Sequence, residues 1–375
     1  MPKETKIHCP SLRASLDALH TKKAEFDAAL KQASQTGDFT ILHTLKPEIE
    51  TLTQTLWEQI NPFEKIHLRE QVISQLSILK ETHLLTTLSD GREGIQAINH
   101  KEYPAPSFEK VLQRLLKKRE LIEQKMAQGF TKLLIVPHGK KLEDVATVYK
   151  EELKNHFTAG KLFYPENDKE RKDREKAGAT RTPVPKLNAE GSLWIWYKDQ
   201  EKKTGGYGNA DVDGALVYYP SQFPENPKDY TPQIHKGTTK MEMLDEMDGF
   251  DILLVEDLTH IPKEGQGKII GGRKQLEANQ TLINYLAKQQ AQEETGLTPE
   301  AWLILAQTKL KENNEVTDDW QGNGKACWNT GAYFKVSGDI PDAYWARDDA
   351  QAHLNRDDPA NRNADIGARS AVRIL

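Results

Sequence analysis

Gly265-Gln-Gly267-Lys268 has the residue types of a phosphate-binding loop, in which backbone N–H groups cradle phosphate oxygens and a lysine neutralises them. The spacing fails. Ile269 stands where a magnesium-binding Ser or Thr is needed, and no glycine lies five residues before Gly267. The dinucleotide fingerprint fails as well, because Ile270 takes the place of its third glycine. What remains is a tight turn before a helix. Asp211-Val-Asp213-Gly214 puts two carboxylates at a turn, but no Glu follows at the twelfth position of a calcium loop. His8 beside Cys9, and His138 after a strand-like run, have no partner at metal-ligand spacing, and His235 sits in a loop-like stretch. Cys327 sits beside Trp328 with no second cysteine downstream, so a nucleophilic role is not expected, and there is no Gly-x-Ser-x-Gly elbow. No metal, cofactor or catalytic residue is expected.

The informative chemistry lies in the tail. The chain has 51 Lys plus Arg, of which 37 are Lys and 14 are Arg. Its last 40 residues hold five of those arginines (347, 356, 362, 369, 373) and no lysine, with seven aspartates (339, 342, 348, 349, 357, 358, 365) and no glutamate. Solubility does not explain this, since Glu and Lys would serve a surface equally well. An ion-pair-rich Arg/Asp surface is the plain alternative. The genetic code offers another. If asparagine codons are randomised at their adenines, Asn, Asp, Arg, His, Tyr, Ser, Ala, Leu, Pro and Gly become reachable, while Lys, Glu, Gln, Met and Trp do not. Tyr344 through Asp365 uses mostly reachable residues, with Trp345 and Gln351 as the exceptions.

The elements that must position this tail can be read from periodicity. Residues 11–129 read as helical, with Leu12, Leu16, Leu19, Phe26 and Leu30 on one face and Leu45, Ile49, Leu52, Leu56 and Ile60 on a second helix after Pro47. A third helix is expected over Phe63–Leu85, and a fourth carries Val111, Leu115, Ile122 and Met126 after a break at residues 103–107. This part reads as a small bundle or coiled coil, a spacer or a self-association arm. Leu133–Val136 reads as a buried strand. Residues 165–192 are charged and Pro/Gly-punctuated, and read as an exposed loop. Strand-like runs follow at 193–197, 215–219 and 251–255, and helices at about 273–292 and from Thr298-Pro299, where Thr suits the N-cap and Pro the first turn. The expected class is α+β, with a helical region at 1–129 and a second domain at 130–375.

Composition bounds the function. The chain has 375 residues and a net charge of −5, which argues against a dedicated nucleic-acid binder. No apolar run approaches the roughly 18 to 20 residues of a membrane span. The start, MPKETKIHCPSLRAS, lacks the features of a secretory signal, so a cytoplasmic address is expected. Two cysteines exclude a disulfide framework, and six of seven tryptophans lie in the second half, where a large core is expected.

The ending Tyr344-Trp345…Leu354-Asn-Arg-Asp-Asp-Pro359…Arg362…Ile366-Gly367-Ala-Arg369-Ser-Ala-Val-Arg373 resembles the variable region of diversity-generating retroelement target proteins. Leu297-Thr-Pro-Glu-Ala-Trp302, Asp319-Trp-Gln-Gly322 and Thr330-Gly331-Ala-Tyr333 add to the resemblance, which covers about 296–375 and extends back through Gly271–Leu276 toward Leu133. The helical N-terminal third lies outside it. The resemblance implies a C-type lectin-like fold of the formylglycine-generating-enzyme type, with a variable region at about 343–366. It implies that Asp348, Asp349, Gln351, His353, Asn355, Asp357, Asp358, Asn361 and Asn363 form an adaptable polar surface, with Ala346, Arg347 and Ala360 beside them. Gly367, as a turn glycine, and Arg369, tying strand ends, would be scaffold, and Trp320, Trp328 and Trp345 core or rim aromatics.

The implied function is binding of a protein or other macromolecule, with no membrane or nucleic-acid partner and with self-association through the N-terminal helices. Two alternatives stand beside it. Formylglycine-generating enzymes are oxidases that use paired cysteines, whereas here Cys9 and Cys327 fall in different domains and the matching region holds one, so no enzyme is expected. A structural helical adaptor with a lectin-like cap would leave the tail's composition unexplained.

Overall fold

The computed structural model describes residues 10–60, 62–189, 191–195, 209–221, 237–256, 269–270, 273–274, 282–322, 324–335, 337–359 and 366–374. Their arrangement is mixed α and β, as the periodicity implies. The chain forms two compact units, Met1–Arg69 and Glu70–Leu375. The stretch 70–129, grouped by sequence with the N-terminal helices, therefore lies in the second unit.

The first unit is a pair of helices, α1 (Pro10–Thr36) and α2 (Thr40–Ile60), followed by a 3-10 turn at Pro62–Ile66. Gly37 takes a left-handed φ of +74° between them, and Asp38 accepts from the Thr40 backbone N at 3.0 Å at the start of α2. Lys22 bridges Glu25 at 2.8 Å and Glu48 at 3.0 Å, tying one helix to the other. Proline removes one helical hydrogen bond, yet α2 runs through Pro47 without ending there. No described helix is long and apolar enough to cross a membrane.

Helix α3 (Leu68–Glu81), which lies in the second unit from Glu70 onward, leads into three short antiparallel strands, β1 (Thr86–Thr87), β2 (Glu93–Gln96) and β3 (Glu102–Pro104). The helical reading of 11–129 fails over these residues. Gly91, at φ +83°, lies between β1 and β2, and a β-carbon at Gly94 would collide with the Tyr103 carbonyl. Next come α4 (Phe108–Lys117), α5 (Arg119–Ala127), β4 (Phe130–Val136) and α6 (Leu142–Thr158). Within 165–192, expected as loop, α7 (Asp168–Lys176) forms because Asn167 and Glu170 make a reciprocal capping box. It buries no residue, which is why an apolar period could not reveal it.

The remaining elements are β5 (Leu193–Ile195), β6 (Leu216–Tyr218), β7 (Thr238–Thr239), α8 (Lys240–Glu246), β8 (Asp251–Glu256), the ribbon β9 (Ile269–Ile270) and β10 (Arg273–Lys274), then α9 (Leu282–Ala291) and β11 (Thr295–Gly296). After them come α10 (Pro299–Asn313), β12 (Asp319–Trp320), β13 (Ala326–Trp328), β14 (Ala332–Phe334), β15 (Ile340–Ala346), β16 (Gln351–Asp357), β17 (Ile366–Ala368) and β18 (Ser370–Arg373). Three sheets organise them. One is antiparallel, in the order β11-β18-β8-β4. The second is mixed, β17-β13-β15-β16-β5, with β12 also paired to β15. The third is β14-β6-β7. Gly265–Lys268 and His235 lie outside the described residues, as does Cys9.

Helix α10 is central. Thr298 caps it as expected, accepting from Ala301 N at 3.1 Å, and residues 299–310 are buried on every side. It packs against α6, β4 and β15. A helix surrounded in this way must satisfy its polar groups locally. Glu300 meets Lys240 at 2.8 Å and the Tyr218 hydroxyl at 2.7 Å, and Thr308 receives the Gln75 amide at 2.9 Å. Trp302, fully buried, donates its indole N–H to Asp318 at 2.8 Å.

The two larger sheets share one chain run, since β17 belongs to the mixed sheet and β18 to the antiparallel one. Arg369 sits at the switch, 5% exposed, and pairs with the fully buried Asp318. Arg369 thus ties strand ends as expected. Gly367 does not form a turn: it lies within β17, opposite Cys327. Replacing Asp318 by Ala should take the paired carboxylate away from the buried Arg369 guanidinium and the acceptor away from the Trp302 indole, at a cost of about 3–5 kcal/mol. Chemical denaturation checks this, and a loss below about 1 kcal/mol would remove Asp318 from the frame.

Candidate functional site

Strands β15 and β16 form an antiparallel hairpin paired over seven residues, from Ile340↔Asp357 to Ala346↔Gln351. Side chains alternate along a strand, so one face carries Pro341, Ala343 and Trp345 with Ala352, Leu354 and Arg356. That face is largely core: Trp345 and Ala352 are fully buried. The opposite face carries Asp342, Tyr344 and Ala346 with Gln351, His353, Asn355 and Asp357. Near β13 and β17 this second face is covered, because Trp328, Ile340, Ile366 and Ala368 pack with Tyr285, Leu286 and Tyr333. The cover thins at Trp320 and Tyr344, which are only partly buried.

Beyond that edge four rings cross the sheet in a row. Trp320 of β12 meets Tyr344 of β15 at 5.3 Å between ring centres, and Tyr344 stacks on His353 of β16 at 5.0 Å and 11°. Trp194 of β5 lies 5.3 Å beyond His353, its register partner. The row follows from register, since Tyr344↔His353 and His353↔Trp194 are directly opposed pairs. Asp349 Oδ2 lies 3.1 Å from His353 Nε2, and the Asn355 side chain bonds Tyr344.

The ends of the hairpin are held by ion pairs that point away from the rings. Arg347 Nε donates to Asp319 Oδ1 at 2.8 Å, and its guanidinium lies 4.1 Å from the Tyr164 ring centre. Asp319 is the register partner of Trp345, which places this pair on the core side. Arg356, also on that side, pairs with Asp339. Asn188 and Lys186 donate to the Asp349 and Asp348 carbonyls, bracing the turn between the strands.

Nine of the twelve sequence-derived site residues are described. Asp348, Asp349 and Asp358 are exposed, and Arg347, Gln351, Asn355 and Asp357 are half-buried. Ala346, at 1% exposure, and His353, at 9%, are buried, which corrects their expected place on a solvent-facing surface. Ala346 is closed in because its register partners are Trp320 and Gln351. Arg347 faces away with Asp319. Ala360, Asn361 and Asn363 lie outside the described residues. The structure therefore brings Asp349, Gln351, His353, Asn355 and Asp357 together, and adds Trp194, Trp320, Asp342 and Tyr344. Alternation inside 340–346 and 193–197 is the signal that would have found the added residues.

Electrostatics sharpen the picture. Burial, and then the charge of Asp357, pushes the Asp342 carboxyl well above the usual carboxylate range. Its Oδ1 finds no hydrogen-bond partner among the described residues. Burial lowers His353 against the opposing pull of Asp349, and burial followed by the nearby Asp342 raises the Tyr344 hydroxyl to about 12. Burial thus favours the neutral forms of both rings.

Other titratable clusters behave as scaffold. Asp211, weighed as part of a calcium loop, accepts from Lys240 Nζ at 2.9 Å and from Leu142 N at 2.7 Å. His138 is buried edge-on to Tyr218 and pushed down to about 3, chiefly by burial and then by Lys240. Cys327 is fully buried, and burial raises its thiol well above the ordinary value. Among the described residues no group of three or more His, Cys, Asp or Glu is placed to hold a metal ion.

No protein-family model, no curated protein and no solved structure matches the chain.

The Asp342 shift has a sign that can be tested. With its folded-state value raised, the folded chain holds a proton that the unfolded chain releases, so stability falls as pH rises above about 4. Asp342→Asn removes that penalty. Its melting temperature should exceed that of the parent at about pH 8 and converge with it near about pH 4. Equal melts at both values would show that Asp342 is an ordinary solvated carboxylate.

Proposed function

We propose that the β15–β16 hairpin face is a ligand-binding surface on a C-type lectin-like scaffold, diversified by a retroelement through adenine-directed mutagenesis. The observation that carries this reading is the coincidence of composition and place. The stretch in which every charged residue is Arg or Asp is also the stretch whose alternate side chains share one partly exposed sheet face. Substitution there is cheap for the fold, because the hairpin's other face supplies the core and its arginines anchor the two ends. Rigid backbone with adaptable polar side chains is the physical requirement of a site that is retuned without unfolding. The buried Cys327 thiol gives no support to the oxidase alternative.

The partner is a protein or other macromolecule. The first unit, with Leu16, Leu30 and Ile41 exposed on its helices, serves as a spacer or self-association arm in this reading.

Two measurements test the proposal. Replacing Asp349, Gln351 and Asp357 together by Ser should shift stability by no more than about ±0.5 kcal/mol per position, because they are not core. A loss of several kcal/mol would assign them to the scaffold. Sequencing around the gene should find a reverse transcriptase and a near-copy of the variable segment that differs only where the copy has adenine. Sister copies whose differences fall evenly along the chain would end the reading.

A further inference from the structure

Helix α6 turns a row of polar side chains toward a cavity that the hairpin face does not use. Lys150, Lys154 and Thr158 stand four residues apart on one face of the helix. They line a cavity of about 440 Å³ whose other wall is the chain at 187–189 and 191–192. Lys150 is half-buried and Lys154 is exposed. Neither ammonium has an ion-pair or hydrogen-bond partner among the described residues, although like charges at this spacing repel. Other charges on α6 are matched: Glu152 meets Lys311 at 2.6 Å and lies 3.9 Å from His156. Glu151 borders the cavity and is the opposing charge there among the described residues. The far wall is fixed. Asn188 N donates to the Ala350 carbonyl, the Ser192 carbonyl accepts from Ala352 N, and the Ser192 hydroxyl donates to the Lys150 carbonyl at 2.5 Å. A β-carbon at Gly191 would stand 3.3 Å from Lys150 Cε and Nζ, so glycine leaves the ammonium its room. Phe157 and Leu187, both half-buried, give the cavity an apolar patch.

We infer that this cavity binds a small organic anion, its phosphate or carboxylate group held by Lys150 and Lys154 and its apolar part resting on Phe157 and Leu187. The volume falls in the range of small-molecule sites, roughly 300 to 1,000 Å³. An oxyanion set between the two ammoniums replaces their mutual repulsion with two charge-assisted hydrogen bonds. The Thr158 hydroxyl adds a third donor on the same row. Glu151 works against the anion, which makes the site's charge pattern specific to position. None of these residues belongs to the Arg/Asp-only segment, so the site stands apart from the hairpin face. Two ordinary solvated lysines are the competing explanation. In that case any small anion is drawn to any exposed lysine alike, and salt screens the attraction.

The test uses the full chain and three ring compounds that differ in one group: phenyl phosphate, benzoate and neutral benzamide. Ligand-observed proton NMR titrations read binding. Phenyl phosphate, benzoate or both should bind and benzamide should not; the tighter of the two anions names the headgroup. Lys150→Gln and Lys154→Gln should each weaken binding roughly five- to tenfold, and Glu151→Gln should strengthen it. Lys117→Gln on α4, an exposed lysine with the same change of charge, should leave it unaltered. Lys154 and Glu151 are exposed, so their variants keep the fold even if Lys150→Gln does not. The inference is overturned if neither anion binds, if benzamide binds as well as they do, or if Lys117→Gln weakens binding as much as Lys154→Gln. Anion binding that ignores both Lys154→Gln and Glu151→Gln would lie elsewhere on the chain and would equally end it.

Discussion

A single buried carboxylate holds the second unit in register. Asp318 follows α10 in a left-handed conformation, φ +53°, which Asp tolerates better than most residues. Its side chain receives the Trp302 indole from the central helix and the Arg369 guanidinium from the point where one chain run passes between sheets. Its carbonyl accepts the Trp345 backbone N–H of β15 at 3.0 Å. Helix, hairpin and sheet crossing thus meet on one residue. The next residue, Asp319, turns to Arg347 and fixes the closed end of the hairpin. A buried pair of this kind adds little net stability over apolar packing, but it allows only one arrangement of the three elements that satisfies every charge. The hairpin face can vary in chemistry because its position is fixed from behind.

Much of this frame was legible in the sequence, for identifiable reasons. Thr298-Pro299 announces the start of α10 by capping chemistry, and the apolar runs at 133–136 and 251–255 become neighbouring strands, buried as continuous runs. The resemblance implies that Arg369 ties strand ends, but its partner Asp318 lies 51 residues away, beyond the reach of any local pattern. Residues 86–104 were not legible as strands, because each strand is only two to four residues long and β1 and β3 bury none. Such pieces leave no alternation to read. Helix α7 escapes periodicity for a different reason: its signal is the Asn167–Glu170 cap, not an apolar stripe. The resemblance makes Gly367 a turn glycine, but its neighbour across the sheet is Cys327.

The candidate site was legible as a segment and not as a surface. Composition marks the stretch after Lys335, but composition has no direction, and the resemblance groups Arg347 with residues that face the other way. Register supplies the missing direction. A period of two sends Gln351, His353, Asn355 and Asp357 to one side and Arg356 to the other. The ring row was out of reach for a stronger reason, since its members come from four strands between residue 194 and residue 353. Only the pairing of β5 with β16 brings Trp194 to His353.

The contrast between two sets of buried charges bears on where function lies. Lys240 is fully buried, yet its ammonium meets Asp211, Glu300 and the Lys140 carbonyl, so desolvation is offset by contacts on every side. Lys125 and Glu294 form a buried pair of the same kind at 2.7 Å. Such groups specify the fold and are spent in doing so. Asp342 is buried to a similar degree, its Oδ1 has no hydrogen-bond partner among the described residues, and burial followed by the charge of Asp357 raises its carboxyl well above the usual range. A chain selected for stability alone would place Asn or an apolar residue at that position. Natural structures break the rule of satisfied polar groups chiefly where a site requires it. Asp342 breaks it on the one sheet face where the aromatic row and the Arg/Asp-only segment also meet.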